Sequence, residues 1–185
     1  MLKKLYPYEY VEGVFSIDYQ KLYQIGYKGI IFDIDNTLVP HGKDSTTEVD
    51  NLFKILNEIG FKTLLLSNNN EQRVKRFVKN IDSKYIYDAE KPNIDGYMKA
   101  VEKLKLKKEE VLYIGDQIFT DILGANKAEI DNILVKYIGF YDKGKKGIKR
   151  NLEKLILKLY SKSKKYQNRI GDIQKKGGSV GNARR

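Results

Sequence analysis

Two aspartates, Asp33 and Asp35, stand two positions apart at the end of the apolar run 29–34. Alternate side chains of a strand point to the same side of a sheet, so both carboxylates are expected to face one site. Carboxylates are seldom buried beside isoleucine and phenylalanine without a partner. The pair therefore predicts a site in which one carboxylate can act as a nucleophile and the other as an acid and then a base.

Further polar residues follow three later apolar runs. They are Ser67 with the three asparagines 68–70, then Lys91, and then Asp116 with Asp121 five residues later. In a parallel α/β sheet, ligands bind beyond the carboxyl ends of the strands. These residues, although far apart in sequence, are therefore expected to meet at one rim of the sheet.

The residue types restrict the chemistry of that rim. The chain has no cysteine and a single histidine, His41, which excludes disulfides, thiolate zinc sites and histidine-rich metal sites. Several carboxylates suit an oxygen-preferring ion such as Mg²⁺. A hydroxyl, a lysine and free backbone amides at a helix start suit phosphate oxygens. The set predicts Mg²⁺-dependent phosphoryl transfer.

Short apolar runs alternate with helical patterns along the chain, which predicts an α/β fold: a three-layer, Rossmann-like parallel sheet with helices on both faces. The predicted strands are 29–34, 63–66, 85–87, 111–114 and 133–137, and the predicted helices are 47–59, 71–80, 93–104 and 119–128. No run approaches the ~20 apolar residues of a membrane span. No secretory signal is recognisable, so we expect a cytoplasmic protein.

The C-terminal part of the chain is strongly basic. Residues 1–140 hold 20 basic and 21 acidic residues, whereas residues 141–185 hold 15 and 3. The pattern predicts a domain over 1–166, with its core at about 28–137 and a basic amphipathic helix over 148–166, followed by a disordered basic tail over 167–185. The helix either packs on the sheet or contacts anionic lipid. The tail leaves nucleic-acid binding open as an alternative function.

The ordered motifs resemble those of the haloacid dehalogenase-like phosphohydrolases. "DIDNT" resembles their DxDxT signature, Ser67 follows Thr37 by 30 residues, Lys91 follows Ser67 by 24, and "GDQIFTD" resembles GDxxxxD. The resemblance covers about residues 28–136. Because 38–66 and 68–90 are filled by a turn or loop, a helix and a strand, we expect no inserted cap domain and an open site.

The resemblance implies a role for each matching position. Asp33 is the implied nucleophile, which forms an aspartyl phosphate, and Asp35 is the implied acid and base, with its backbone carbonyl on Mg²⁺. The other implied roles are orientation of the turn and contact with the substrate for Thr37, phosphoryl binding for Ser67 and the amide of Asn68, charge neutralisation for Lys91, and Mg²⁺ binding for Asp33, Asp116 and Asp121.

Phrases such as "LLLSNNNEQRV" and "YIGDQIFTDILGANKA", with the leader at 5–29, resemble the bacterial YqeG-type branch of this family. That branch is similar to the mitochondrial phosphatidylglycerophosphate phosphatases. The resemblance makes this anionic lipid a candidate substrate and implies peripheral contact with the inner membrane face. A soluble nucleotide, sugar phosphate or phosphoprotein remains the alternative substrate.

Overall fold

The fold is built on one sheet whose strands are all parallel. The structure, a computed structural model, describes residues 2–138 and 145–175. Within these residues the sheet has six strands in the order β1-β6-β5-β2-β3-β4. The strands are β1 Glu9–Val11, β2 Gly29–Phe32, β3 Lys62–Leu66, β4 Lys84–Ile86, β5 Val111–Gly115 and β6 Asp131–Val135.

Helices cover both faces of this sheet. The helices are α1 Tyr19–Gln24, α2 Thr47–Ile59, α3 Glu71–Phe77, α4 Ile94–Leu104, α5 Leu123–Lys127 and α6 Lys145–Ser161. Alternate residues of the buried central strand β2 enter different cores: Ile30 and Phe32 pack in one cluster, and Ile31 packs in another on the opposite face. Burial on both faces explains the continuous apolar runs of the central strands. The predicted three-layer α/β class is confirmed.

Several predicted boundaries differ from the structure. Strand β1 was missed because it has three residues, too few for an apolar alternation to be recognised. It pairs with β6 at one edge of the sheet. The helix predicted over 71–80 ends at Phe77 and continues as a 3₁₀ turn, and that predicted over 119–128 begins as a π-helical turn, Ile118–Ile122, ahead of α5.

No additional domain interrupts residues 33–90, all of which the structure describes. A turn and α2 connect β2 to β3, and α3 with a 3₁₀ turn connects β3 to β4. The carboxyl ends of β2, β3 and β5 are therefore not covered by a cap, as expected. Among the described residues, none of the helices combines the length and apolar content that crossing a membrane requires.

Helix α6 packs against the body with a face different from the one predicted. The helix ends at Ser161, before a 3₁₀ turn at Lys164–Tyr166, and buries Glu153, Ile156 and Tyr160. Of the apolar residues on the predicted face, Ile156 does pack, whereas Ile148, Leu152, Leu155 and Leu159 are between 39% and 67% accessible. The sequence periodicity located the apolar stripe of α6 correctly. The side of the helix that packs against the body, however, includes the polar pair Arg150 and Glu153.

The predicted disorder of the tail does not hold for residues 167–175. Ile173 is buried in the main core, and its carbonyl accepts a hydrogen bond from the Asp18 N–H at 2.8 Å. The backbone N–H of Ile170 donates to Glu9 at 2.8 Å. The sequence did not predict this packing because Ile173, a single apolar residue after a basic stretch, belongs to no periodic pattern. The rest of the tail, 176–185, lies outside the described residues.

Candidate active site

Asp33 lies directly beyond the end of β2 and is held from two sides. Its Oδ1 is 2.6 Å from the Nζ of Lys91, and its Oδ2 accepts a hydrogen bond from the Thr37 hydroxyl at 2.9 Å. Burial raises the pKa of Asp33 to about 6, although Lys91 opposes this increase. Thr37 is fully buried, and its hydroxyl oxygen also lies 3.3 Å from Asp116 Oδ1. In this geometry Thr37 holds the carboxylates of the site, and contact with a substrate stays a prediction.

Lys91 connects Asp33 to Asp121. Its ammonium group is 2.9 Å from Asp121 Oδ1 and 3.0 Å from the Tyr113 hydroxyl, and its side chain is 4% exposed. Burial alone would lower the pKa of Lys91, but the carboxylates of Asp121 and Asp33 outweigh burial and raise it. Lys91 is therefore a fixed positive charge beside the predicted nucleophile.

Asp121 is fixed by the loop that follows β5. Its Oδ2 accepts hydrogen bonds from the backbone N–H groups of Asp116 at 3.2 Å and Gln117 at 2.9 Å, and its Oδ1 accepts one from Tyr113 at 2.7 Å. A Cβ atom on Gly115 would lie 2.6 Å from the Asp121 side chain. Glycine at 115 thus permits the close approach on which this arrangement depends.

Asp116 contacts a residue of α6 that the motifs did not reveal. Its Oδ2 forms a salt bridge with Arg150, which also donates to the Asp116 carbonyl at 2.9 Å. Arg150 is held in turn by Glu153 at 2.8 Å, and Glu153 accepts a hydrogen bond from the Ile118 N–H at 2.8 Å. The buried pair thereby attaches α6 to the loop that carries Asp116.

Three buried carboxylates form a group suited to a hard cation. One oxygen from each of Asp33, Asp116 and Asp121 lies within 4.8 Å of the others. Burial first, and then repulsion from Asp121 and Asp33, raises the pKa of Asp116 well above its usual range. An all-oxygen set of three close carboxylates fits a divalent cation such as Mg²⁺, which would offset their repulsion. The carboxylate of Asp35 is not part of this group, and the ligand predicted from Asp35 is its backbone carbonyl.

Asp35 has a separate set of partners. Its carboxylate accepts hydrogen bonds from Asn69 Nδ2 at 2.7 Å, the Gly42 N–H at 3.0 Å and Arg73 at 3.0 Å, and His41 Nδ1 is 3.2 Å away. Burial would raise its pKa, but these groups, led by Asn69, outweigh burial and hold the pKa below the usual value. Asp35 is thus ionised at neutral pH in the substrate-free site.

The segment after β3 supports both aspartates. Ser67 is 1% exposed, and its hydroxyl accepts hydrogen bonds from the backbone N–H and the Nδ2 of Asn69, at 3.1 and 2.9 Å. Asn68 pairs with the backbone of Lys91, accepting from its N–H at 2.7 Å and donating to its carbonyl at 3.1 Å. Asn70 caps α3 by accepting from the N–H of Arg73 at 3.0 Å. The three asparagines therefore have three different functions.

A cavity of about 670 Å³ opens beside these groups. Predicted site residues that line it are Asp33, Asp35, Asn68, Lys91 and Asp121, whereas Thr37, Ser67 and Asp116 lie behind its wall. Other lining side chains were not predicted as site residues, namely Asn69, Tyr137, Lys149, Arg150 and Glu153. One sequence signal could have identified the last two, because Glu153 is the single acidic residue of α6 and stands three positions after Arg150.

The comparisons with known proteins agree with this site. Residues 42–129 match the model of a hydrolase family, the haloacid dehalogenase-like hydrolases. The match begins after the two aspartates at the end of β2 and ends before α6. The chain belongs to this hydrolase family.

Within the family, the chain is similar to the protein named "Probable phosphatase YqeG" of Bacillus subtilis (strain 168). The two are 40% identical over 159 residues, which is 85% of this chain and 92% of the relative, so the predicted YqeG-type branch is confirmed. A crystal structure of a predicted phosphoglycolate phosphatase from Haemophilus somnus 129PT superposes with a TM-score of 0.52 at 15% identity, over 60% of this chain and 86% of that one. This second likeness shows the shared fold.

Proposed function

We propose that the protein is a Mg²⁺-dependent phosphomonoesterase that works through an aspartyl phosphate on Asp33. The observation that carries the proposal is the pairing of Asp33 with Lys91 at 2.6 Å, at the wall of a cavity that Asp35 also lines. The name of the Bacillus subtilis relative, a phosphatase, supports the same reaction class. A fixed cation beside a buried carboxylate suits attack on an anionic phosphoryl group.

In the first step the Asp33 carboxylate oxygen attacks phosphorus and the bond between phosphorus and the ester oxygen breaks. Asp35 takes up a proton from solvent as the substrate binds and gives this proton to the departing oxygen. The dianionic phosphate of a bound substrate would raise the pKa of Asp35, whose carboxylate is otherwise stabilised by Asn69 and Arg73. The contacts from those two residues also keep the Asp35 carboxylate in one orientation.

In the second step Asp35, now ionised, removes a proton from water as the water oxygen attacks phosphorus. The bond between phosphorus and Asp33 breaks, releasing inorganic phosphate and restoring the carboxylate. Lys91 offsets the negative charge on Asp33 and the phosphoryl oxygens throughout. Asp33, Asp116 and Asp121 would hold Mg²⁺, with the backbone carbonyl of Asp35 as a further ligand. When bound, the ion would stabilise charge on the phosphoryl group.

A generic aryl phosphate tests the reaction class. The purified protein should release phosphate from it with Mg²⁺ and lose this activity in excess chelator. Asp33→Asn should abolish turnover, whereas Asp82→Asn, an exposed control, should retain it. Full activity of the Asp33 variant, or turnover unaffected by the chelator, would reject the proposed chemistry.

For the natural substrate we propose phosphatidylglycerophosphate. The support is the absence of a cap over the described strand ends, the similarity of the leader and motifs to the YqeG-type branch, and the surface of α6. Exposed Ile148, Leu152, Leu155 and Leu159 lie on one helix that also carries Lys149, Lys154 and Lys158. An apolar strip flanked by lysines is complementary to an anionic leaflet, where each basic residue contributes ~1 kcal/mol.

Vesicle binding and substrate choice test this assignment together. The protein should sediment with vesicles rich in phosphatidylglycerol and not with neutral phosphatidylcholine vesicles. A double variant, Leu152→Asp with Leu155→Asp, should weaken binding about tenfold or more, whereas Ile55→Asp, a matched exposed position on α2, should not. A strong preference for soluble phosphomonoesters over the lipid in micelles would instead favour the soluble-substrate alternative.

A further inference from the structure

We propose that Arg150 and Lys149, at the start of α6, form a subsite for a second anionic group of the substrate. The inference rests on the proposed phosphatase function and narrows its substrate class. The preferred substrates would be phosphomonoesters that carry a second anionic group, such as a phosphodiester or another phosphate. Both cations line the cavity that also contains Asp33 and Lys91.

Arg150 is preorganised for anion binding. Its guanidinium lies 4.3 Å from the ring centre of Tyr137, and Glu153 holds it from behind at 2.8 Å. Glu153 is itself anchored on the Ile118 N–H, so the guanidinium is fixed to the frame of the fold. An arginine on a rigid support loses little freedom on binding and presents paired N–H donors to a phosphate.

The contact between Arg150 and Asp116 explains how the guanidinium becomes available. Asp116 belongs to the carboxylate group suited to a cation, and both its Oδ2 and its backbone carbonyl contact Arg150. A cation held by these carboxylates would compete with Arg150 for Asp116, whereas Glu153, the other partner of Arg150, is not one of these carboxylates. With the cation bound, Arg150 would interact less strongly with Asp116 and could bind an anion in the cavity.

The other strong cations near the site do not lie on the wall formed by α6. Lys91 is buried between Asp33 and Asp121 and serves the transferred phosphoryl group. Arg73 faces Asp35 and is not part of the described cavity lining. A second negative group of the substrate would therefore meet Lys149 and Arg150 on the wall formed by α6.

The experiment compares two soluble substrates and one lipid by their kcat/KM values. The soluble pair is an aryl monophosphate and an alkyl bisphosphate, and the lipid is phosphatidylglycerophosphate in micelles. In Arg150→Met, the ratio of kcat/KM for the bisphosphate to that for the aryl monophosphate should fall about tenfold or more, mainly through KM. Lys149→Met and Arg150→Lys should lower it by smaller factors, and Lys127→Met, an exposed charge on α5, should leave it unchanged.

The lipid arm separates the source of the second anion. A fall for both the lipid and the bisphosphate supports the subsite, whichever of the two is the better substrate. An unchanged ratio in Lys149→Met and Arg150→Lys, or equal losses on all substrates in Arg150→Met, would overturn it. These two milder variants decide the question if Arg150→Met does not fold. If the wild-type protein hydrolyses none of the three substrates, the proposed phosphatase function itself is rejected.

Discussion

Replacing the nucleophile should remove part of the stability loss that the cation-free protein undergoes as the pH rises toward neutral. The pKa of Asp33 rises from 3.8 in a reference peptide to about 6 in the fold because burial disfavours its charge. A carboxyl group with a raised pKa in the folded state stabilises the fold at low pH, and this contribution is lost as the pH rises through the folded pKa. The asparagine of an Asp33→Asn variant does not ionise and therefore avoids that loss.

The size of the effect follows from the shift. A rise in pKa from 3.8 to about 6 corresponds to ~3 kcal/mol between the acidic and alkaline limits. Between about pH 4.5 and about pH 7.5, the unfolding free energy of Asp33→Asn should gain ~2 kcal/mol relative to wild type. The exchange also alters the contacts with Lys91 and Thr37, but that contribution changes little with pH.

Urea unfolding in excess chelator, at several pH values, measures this difference. The chelator matters because a bound cation would stabilise the wild-type site. Asp82→Asn, an exposed aspartate, is the matched control and should show no such pH dependence. A stability difference between Asp33→Asn and wild type that stays constant, or falls as the pH rises, would refute the buried-charge explanation.

Three other variants test separate parts of the site. Lys91→Met leaves the buried carboxylates of Asp33 and Asp121 without their ammonium partner. Turnover should therefore fall at least ~10²-fold in a kinetic assay, and the free energy of unfolding of the metal-free protein should fall by ~3–5 kcal/mol in urea. Gly115→Ala should displace Asp121 and weaken Mn²⁺ binding ~10-fold or more, measured calorimetrically; unchanged affinity would contradict the close contact. Asp35→Asn should reduce turnover of an alkyl phosphate far more than that of an aryl phosphate with a good leaving group, and equal losses would remove Asp35 as the acid.

The fold could be predicted from the sequence because its strands are buried on both faces. Runs such as 29–32 and 111–114 are continuously apolar, and helical patterns separate them. The short edge strand β1 gave no such signal. Helix α6 shows a different difficulty, because periodicity finds an apolar stripe and not the side that packs. Its buried side is formed by Glu153, Ile156 and Tyr160, and Glu153 pairs with the partly exposed Arg150.

The inner part of the site was predictable because parallel strands bring their ends together. Asp33, Lys91 and Asp121 follow three different strands and meet within hydrogen-bond distance. The outer partners were not predictable in this way. Asn69 resembles an ordinary helix cap, and Arg150 lies 34 residues beyond Asp116 in a helix rich in lysine. Their roles depend on tertiary distances that no local spacing encodes.

The central claim is that Asp33 becomes covalently phosphorylated. Its most direct test is rapid acid quenching of the enzyme during turnover of a radiolabelled phosphomonoester with Mg²⁺, followed by digestion and mapping of the label. We predict a label on the peptide that contains Asp33, released by hydroxylamine as expected of an acyl phosphate and absent from Asp33→Asn. Rapid turnover with no labelled peptide, or a label on another residue, would contradict the mechanism.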